Sequence, residues 1–475
     1  MAIDYTEYIN QLVGQAKEAQ STIDNYSQQQ VDELCAAIAY ATTLPSFAQG
    51  IAEALVEESG MGRVEDKTAK MYGKIKGCYR DMKGEKSIGL IEEDEEKGIA
   101  VYAKPMGVVG AVIPVTNGEA TPVVKALMAI KGRNAIIMAP HPKAVKTNWL
   151  VTEKIRSVLE KYGAPRDLVQ AIAPGYVSIE ASSELMKQVD FVLATGGTPM
   201  VRSAYSSGTP TIGVGTGNVV SIVDGTTDME SVADLILRSK TFDNATSCST
   251  ENNIIVFEDC YTSFTEAMKK KGAFLIRDNT EEKEKLKATL WPNTPEDHVL
   301  NRHIAGQSAK RIAELAGIVV PGETRLIMVE ESGGFGSEFP FNGEKISPVS
   351  SIRKCKDFED ALQQMDFILD YQGLGHSCGI HTTSDKRIHA LAERVKVTKV
   401  VVNQPQSLAN SGAWTNGFPM SMTVGCGTWG HNSVSHNVTW KDLLNFTRVS
   451  RVIPSTQPTD EELFDKDIRD AFLDA

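Results

Sequence analysis

From Met106 onward, short apolar runs alternate with longer amphipathic ones, and this alternation narrows the fold more than any other feature of the chain. "GVVGAVIPV" and "NAIIMAP" have the length and composition of strands, and "LVQAIA" and "DFVLAT" continue the series. Between them, "ATPVVKALMAIKG" reads as a helix ended by Gly132, and "TNWLVTEKIRSVLEKYG" as a helix with Gly163 past its end. Such a series predicts parallel βαβ units, with ligands at the strand C-termini. A second alternation follows Cys248, through "NIIVF", "CYTSFTEAMKKKG", "HIAGQSAKRIAELAG", "DFEDALQQMDFILD" and "KVVVNQP". The chain therefore predicts an α/β protein of two such domains with a site between them. Residues 5 to 75 read as helices, with Ser27 a candidate N-cap. Residues 86 to 104 change period around the acidic turn Glu92–Gly98 and predict an exposed hairpin. The acidic segment after Pro454 reads as a loosely docked helix.

A chain of 475 residues fits two or three domains. Its formal net charge of −12 argues against nucleic acid as the main partner, because phosphate neutralisation needs clustered Lys and Arg. The seven cysteines form no CxxC pair, which favours a reducing compartment over a disulfide framework or zinc. The eight histidines show no metal-ligand spacing, so no metal is expected. No apolar run approaches the ~18 residues of a spanning helix. The expected location is cytoplasmic, with no membrane partner.

Several stretches carry candidate chemistry. "GVGTGN", at 213 to 218, resembles part of a dinucleotide fingerprint, but a strand rather than a helix follows it, which favours a tight turn. In "FVLATGGTPMVRSAYSSG" a strand ends before Gly196 and Gly197, and a helix starts near Pro199. That order can bring backbone N–H groups against a phosphate or a nicotinamide, and equally describes a plain turn. Asn117 follows an apolar strand and could donate to an oxyanion or cap a turn. Cys248 lies among Asn244, Thr246, Ser247, Ser249 and Thr250, a polar setting unlike that of a core thiol. No histidine adjoins it in sequence, so a Cys–His hydrolase lacks support, and most histidines read as surface or capping residues. Glu344 in "FNGEKISPVS" could accept from ribose hydroxyls or be a solvated loop carboxylate.

Taken in order, "EESGMGRVEDK", "PMGVVGAVIPVTN", "RNAIIMAPHPKA", "LATGGTPMVRSAYSSGTPTIGVGTGN", "SKTFDNATSCSTE", "GEKISPV" and "TVGCGTWGHNS" resemble motifs of the aldehyde dehydrogenase superfamily, in its CoA-acylating branch. The likeness covers nearly the whole chain. It implies a Rossmann-like NAD(P)-binding domain over 1–240 with an oligomerisation hairpin at about 86–104. A catalytic domain over 241–430 would bear the cysteine, and 431–475 would hold a return strand and a tail. By the same resemblance Cys248 is the nucleophile and Asn117 completes the oxyanion hole. Thr116, Gly196 and Gly197 lie near the nicotinamide, and Glu344 meets the nicotinamide ribose. Pro140, His141 and Pro142 form the adenosine-side wall, where Lys143 and Lys146 could accept a 2′-phosphate, so the cofactor is NAD or NADP. Gly213, grouped with the cofactor residues, stands where hydrolytic members carry the glutamate that activates water. Its absence implies CoA as the acyl acceptor, because a thiol attacks a thioester with less help than water.

The loop "NQPQSLANSGAWTNGFP" lies where the family builds its substrate pocket. Asn410, Ser411, Trp414 and Asn416 make it polar enough for a small anionic head group. It resembles the loop of acylating sulfoacetaldehyde dehydrogenases. Acetaldehyde, propionaldehyde and succinate semialdehyde are the other candidate substrates. A hydrolytic enzyme with its base elsewhere and a non-catalytic member of the fold are the rival functions. A homodimer or homotetramer is expected from the hairpin.

Overall fold

The computed structural model describes residues 4–294 and 297–472. The chain up to Met82 is helical: Tyr5–Ile23, Gln28–Thr42, Pro45–Ser59 and a rod, Val64–Met82, interrupted by a π-helical turn at Met71–Ile75. Ser27 caps the second of these, its hydroxyl accepting from Gln30 N while the Gln30 side chain accepts from Ser27 N at 2.9 Å. Ile9, Val13, Ile23, Leu34 and Ile38 are the buried stripe by which these helices cover the first sheet.

That sheet has five parallel strands in the spatial order Val169–Ala171, Ala135–Pro140, Val108–Ile113, Phe191–Thr195 and Thr211–Val214. The chain starts at the centre, moves outward twice, then crosses back to the other side of Val108–Ile113. The strand order therefore reverses between Val108–Ile113 and Phe191–Thr195, and a crevice opens beyond their C-terminal ends. Val115–Asn117 follows the first of these strands, and Gly196–Gly197 follows the second.

A second sheet has seven parallel strands, ordered Ala273–Ile276, Leu326–Glu330, Val349–Cys355, Glu251–Phe257, Val219–Val223, Cys378–His381 and Val400–Val402. Its strands lack hydrophobic–polar alternation because helices bury both faces. Val219–Val223 pairs with Glu251–Phe257 and Cys378–His381, and the helix Met229–Thr241 packs beside them. The chain thus passes from the first sheet to the second before Val219, not near residue 240 as the sequence suggested. Periodicity shows that a strand is present; only pairing shows which sheet it joins.

Residues 86 to 105 do form a hairpin, Gly89–Asp94 against Ile99–Pro105, and Leu444–Ser450 adds a third antiparallel strand. Val438, Trp440, Leu443 and Leu444 pack into the core of the first unit, so the C-terminal segment returns to it. The tail is two short exposed helices, Asp460–Leu463 and Lys466–Ala471. No single helix among the described residues is long and apolar enough to cross a membrane.

Candidate active site

Cys248, His376, Gly217 and Glu344 all lie on segments that lead into neighbouring strands of the second sheet. Because the strands are parallel, those segments converge on one edge. Cys248 precedes Glu251–Phe257, and His376 precedes Cys378–His381, two strands away. His376 Nε2 sits 3.2 Å from Cys248 Sγ, although the two residues are 128 apart in the chain. The other imidazole nitrogen, Nδ1, meets Ser377 Oγ at 2.9 Å, and Gln406 Nε2 donates to that hydroxyl at 3.2 Å. His376 is therefore neither a surface nor a capping residue, as the sequence suggested for most histidines. The sequence signal was "GLGH": Gly375, at φ +83°, leaves no room for a Cβ against the Cys426 carbonyl.

Gly217 lies between the pair. A Cβ there would come within 2.4 Å of the Cys248 carbonyl oxygen and 2.8 Å of His376 Nε2. Only a residue without a side chain allows the thiol and imidazole to meet.

The loop that delivers Cys248 is strained. Asp243, Asn244 and Ala245 all have positive φ, at 51°, 50° and 58°. Each costs on the order of 1 kcal/mol or more in a non-glycine residue. Asp243 holds the strained conformation: its carboxylate accepts from Lys67 Nζ at 2.9 Å, Lys70 Nζ at 2.7 Å, Thr246 Oγ1 at 2.6 Å and Arg63 N at 2.8 Å. Burial would raise the Asp243 carboxyl, but Lys70 and Lys67 outweigh it and hold it below the usual carboxylate range. The same Lys70 Nζ donates to Asn117 Oδ1 at 2.6 Å and pairs with Glu119 at 3.2 Å. With its oxygen committed, the Asn117 amide offers Nδ2; one proton meets Thr116 Oγ1 at 3.2 Å and the other remains available. Asn117 and Cys248 line one cavity of about 640 Å³.

Burial, then the Glu344 charge, pushes the Cys248 thiol up to about 12, and burial pushes His376 down to about 3. Both signs keep the resting pair neutral, a thiol beside an uncharged imidazole. Glu344 is itself pushed up to about 8 by burial, with Gly217 N–H and Lys240 opposing the shift.

The remaining candidates divide. Gly196 and Gly197 lead from the strand Phe191–Thr195 into the helix Thr198–Tyr205, which has no side-chain N-cap. A cleft of about 530 Å³ runs beside that helix, lined by Thr198, Arg202, Thr216 and Trp429. Pro140 ends its strand, and His141, Pro142 and Lys143 form the exposed turn beyond it. Among the described residues Lys143 has no ion pair, whereas Lys146 lies 4.0 Å from Glu57. Gly213 packs against Tyr205 of the helix Thr198–Tyr205. Its N–H and carbonyl both bond the Tyr205 hydroxyl at 3.0 Å, and a Cβ would meet the Tyr205 ring at 2.9 Å. A side chain there would have to displace the Tyr205 ring and Val201.

Ser411 and Trp414 line the cavity with Cys248. Asn410 and Asn416 do not. Asn410 is fully buried and donates to Ser249 Oγ at 2.9 Å, and Asn416 clasps the loop by accepting from Ala413 N and Phe418 N. Asparagine serves local backbone turns as readily as it serves a ligand, and sequence does not separate the two.

A thiol, an imidazole and an amide gathered between two α/β sheets describe an enzyme that forms a covalent bond to a carbonyl carbon. Residues 4–311 match the model of the aldehyde dehydrogenase family, and the chain belongs to that family. Within it the chain falls in the CoA-acylating branch. A sulfoacetaldehyde dehydrogenase of an Acholeplasma species is 42% identical over 96% of this chain and 94% of its own length. An acylating sulfoacetaldehyde dehydrogenase of Bilophila wadsworthia is 42% identical over 94% and 96%. The crystal structure of an acetylating aldehyde dehydrogenase from Geobacillus thermoglucosidasius superposes with a TM-score of 0.90 at 35% identity, covering 96% of this chain and 98% of that one.

Three measurements probe this geometry. Lys70→Met leaves Asp243 and Glu119 buried without their shared cation, so stability to thermal or denaturant unfolding should fall by about 3–5 kcal/mol. Gly217→Ala should separate His376 from Cys248 and depress single-turnover thioester formation more than it lowers Tm. Glu344→Gln removes a negative charge that disfavours the thiolate. Labelling of Cys248 by iodoacetamide at pH 9, where Glu344 is ionised, should therefore be faster in that variant.

Proposed function

We propose that this protein converts sulfoacetaldehyde, CoA and NAD(P)+ to sulfoacetyl-CoA and NAD(P)H, reversibly, through a thioester on Cys248. The pairing of Cys248 with His376, beside a Gly213 whose side-chain space Tyr205 fills, supports this reading most strongly.

In the forward direction Cys248 Sγ attacks the aldehyde carbon and its proton passes to His376 Nε2. Burial disfavours either ion alone, but thiolate and imidazolium form as a pair in contact, and their attraction offsets that cost. The oxygen of the adduct gathers charge and is met by Asn117 Nδ2 and by the Cys248 N–H, which otherwise contacts only its own sulfur. A nicotinamide cofactor held here would supply the hydride acceptor for the step in which the carbonyl re-forms. The crevice beyond Gly196 and Gly197 suits the phosphates of such a cofactor, since the helix Thr198–Tyr205 has no side-chain N-cap and leaves its first N–H groups to an anion. Glu344, beside Gly217 and Cys248, takes the ribose hydroxyls, and Pro140, His141 and Pro142 the adenosine side. Once His376 has released its first proton, it takes the second from the CoA thiol, which displaces Cys248 from the acyl group. Water lacks a comparable carboxylate at Gly213.

The substrate is taken from the named activity of the relatives and from a cavity that Lys74 and Arg238 line with no carboxylate among the described residues. Lys143, exposed and without an ion pair among the described residues, supports use of a 2′-phosphate. Exposed Leu90, Tyr102, Phe446 and Val449 on the three-stranded sheet support a homodimer or homotetramer. Seven free cysteines support a cytoplasmic setting.

In the absence of CoA, NAD(P)H formation should stop after about one equivalent per Cys248. Continued turnover there would falsify the acylating assignment. His376→Asn should lower kcat by roughly 10²–10⁴.

A further inference from the structure

The cavity that holds Cys248 is electrostatically one-sided. The chain carries 61 acidic residues, yet no carboxylate lines this cavity among the described residues, whereas Lys70, Lys74 and Arg238 do. The charge of Lys70 is already balanced by Asp243 and Glu119. Lys74 and Arg238 have no ion pair with any described residue.

Lys74 lies in the π-helical turn Met71–Ile75, one turn after Lys70, a kind of irregularity that recurs at functional sites. Its ammonium donates to the Gly412 carbonyl at 2.6 Å and the Ser411 carbonyl at 3.2 Å. Its third neighbour is the Met420 sulfur at 4.0 Å, a weak acceptor that a charged oxygen would displace. The two carbonyls fix the ammonium in place without neutralising it. Burial and the nearby charge of Lys70 push Lys74 down to about 7, the condition of a buried cation lacking a counterion. Arg238 approaches from the last turn of the helix Met229–Thr241, sharing its cavity-lining face with Leu235 and Phe242. It is exposed and makes no hydrogen bond to any described residue.

We propose that Lys74 and Arg238 form an anion subsite, which holds the negatively charged head group of the aldehyde while its carbonyl reaches Cys248. This assignment rests on the reading of the cavity as the aldehyde site. It places specificity on the helix of Lys70 and the helix before Cys248, rather than on the polar loop alone. Lys70 and Lys74 divide two tasks one turn apart: the first positions Asn117, and the second meets the substrate.

The test compares kcat/KM for sulfoacetaldehyde, succinate semialdehyde and acetaldehyde in the wild-type enzyme and in Lys74→Met, Lys74→Arg and Arg238→Gln. Ethanesulfonate serves as an unreactive probe of the subsite. In Lys74→Met the preference for sulfoacetaldehyde over acetaldehyde should fall roughly 10–100-fold, mainly through KM. Inhibition by ethanesulfonate should weaken by a similar factor. Lys74→Arg should recover part of the preference, and Arg238→Gln, at an exposed position, should show a smaller loss in the same direction. An unchanged preference in both Lys74→Met and Arg238→Gln would overturn the assignment. So would a wild-type enzyme that ethanesulfonate does not inhibit competitively with the aldehyde. If succinate semialdehyde is the better wild-type substrate and its preference collapses in Lys74→Met, the subsite stands and the sulfonate reading falls. The CoA requirement is measured separately with acetaldehyde, so a failed anion subsite leaves the acylating chemistry intact.

Discussion

The ammonium of Lys70 is the contact on which the rest of the active site depends. It reaches the Asp243 carboxylate at the base of the cysteine loop and the Asn117 amide at the end of a strand in the other sheet. Burial would lower the pKa of this lysine, but Asp243 and Glu119 outweigh that effect and raise it. Together with Lys67, this charge anchors the three consecutive left-handed residues, and it occupies the Asn117 oxygen so that an Nδ2 proton stays available. Cys248 and Asn117 come from different units, and a buried ion cluster fixes their separation. Such a cluster adds little net stability against an apolar replacement, but its geometry is specific.

The second constraint is the polarity of the sheets. Parallel strands bring all their C-termini to one edge and all their N-termini to the other. The first sheet offers its C-terminal edge, with Asn117, Gly196 and Gly197. The second offers the segments entering its strands, with Gly217, Cys248, Glu344 and His376. Two positions are then decided by exclusion. Gly217 is bare so that sulfur and imidazole can meet, and Gly213 is bare because Tyr205 occupies the space a side chain would need.

Much of this was legible in the sequence. The alternation after Met106, the hairpin around Glu92–Gly98, the Ser27 cap and the polar setting of Cys248 all follow from local pattern, and local pattern is what short-range physics fixes. The division of the chain near residue 240 was not legible, since Val219–Val223 is a strand under either assignment and only its neighbours show which sheet it joins. Asn410 and Asn416 looked like substrate contacts because amides suit both ligands and turns. Here they satisfy Ser249 and the loop backbone.

The sequence by itself determined the fold class and marked Cys248 as the least core-like of the seven cysteines, because both are written in residue type and local spacing, while the reading of Cys248 and Gly213 rested on the family resemblance of the ordered motifs. Tertiary structure alone decided that His376 lies against Cys248, that Lys70 holds the Asn117 oxygen, and that Lys74 and Arg238 face the same cavity without an ion pair to any described residue. Those relations join residues far apart in the chain. They depend on which strands lie side by side and on what burial does to a charge, and neither is expressed until the chain has packed.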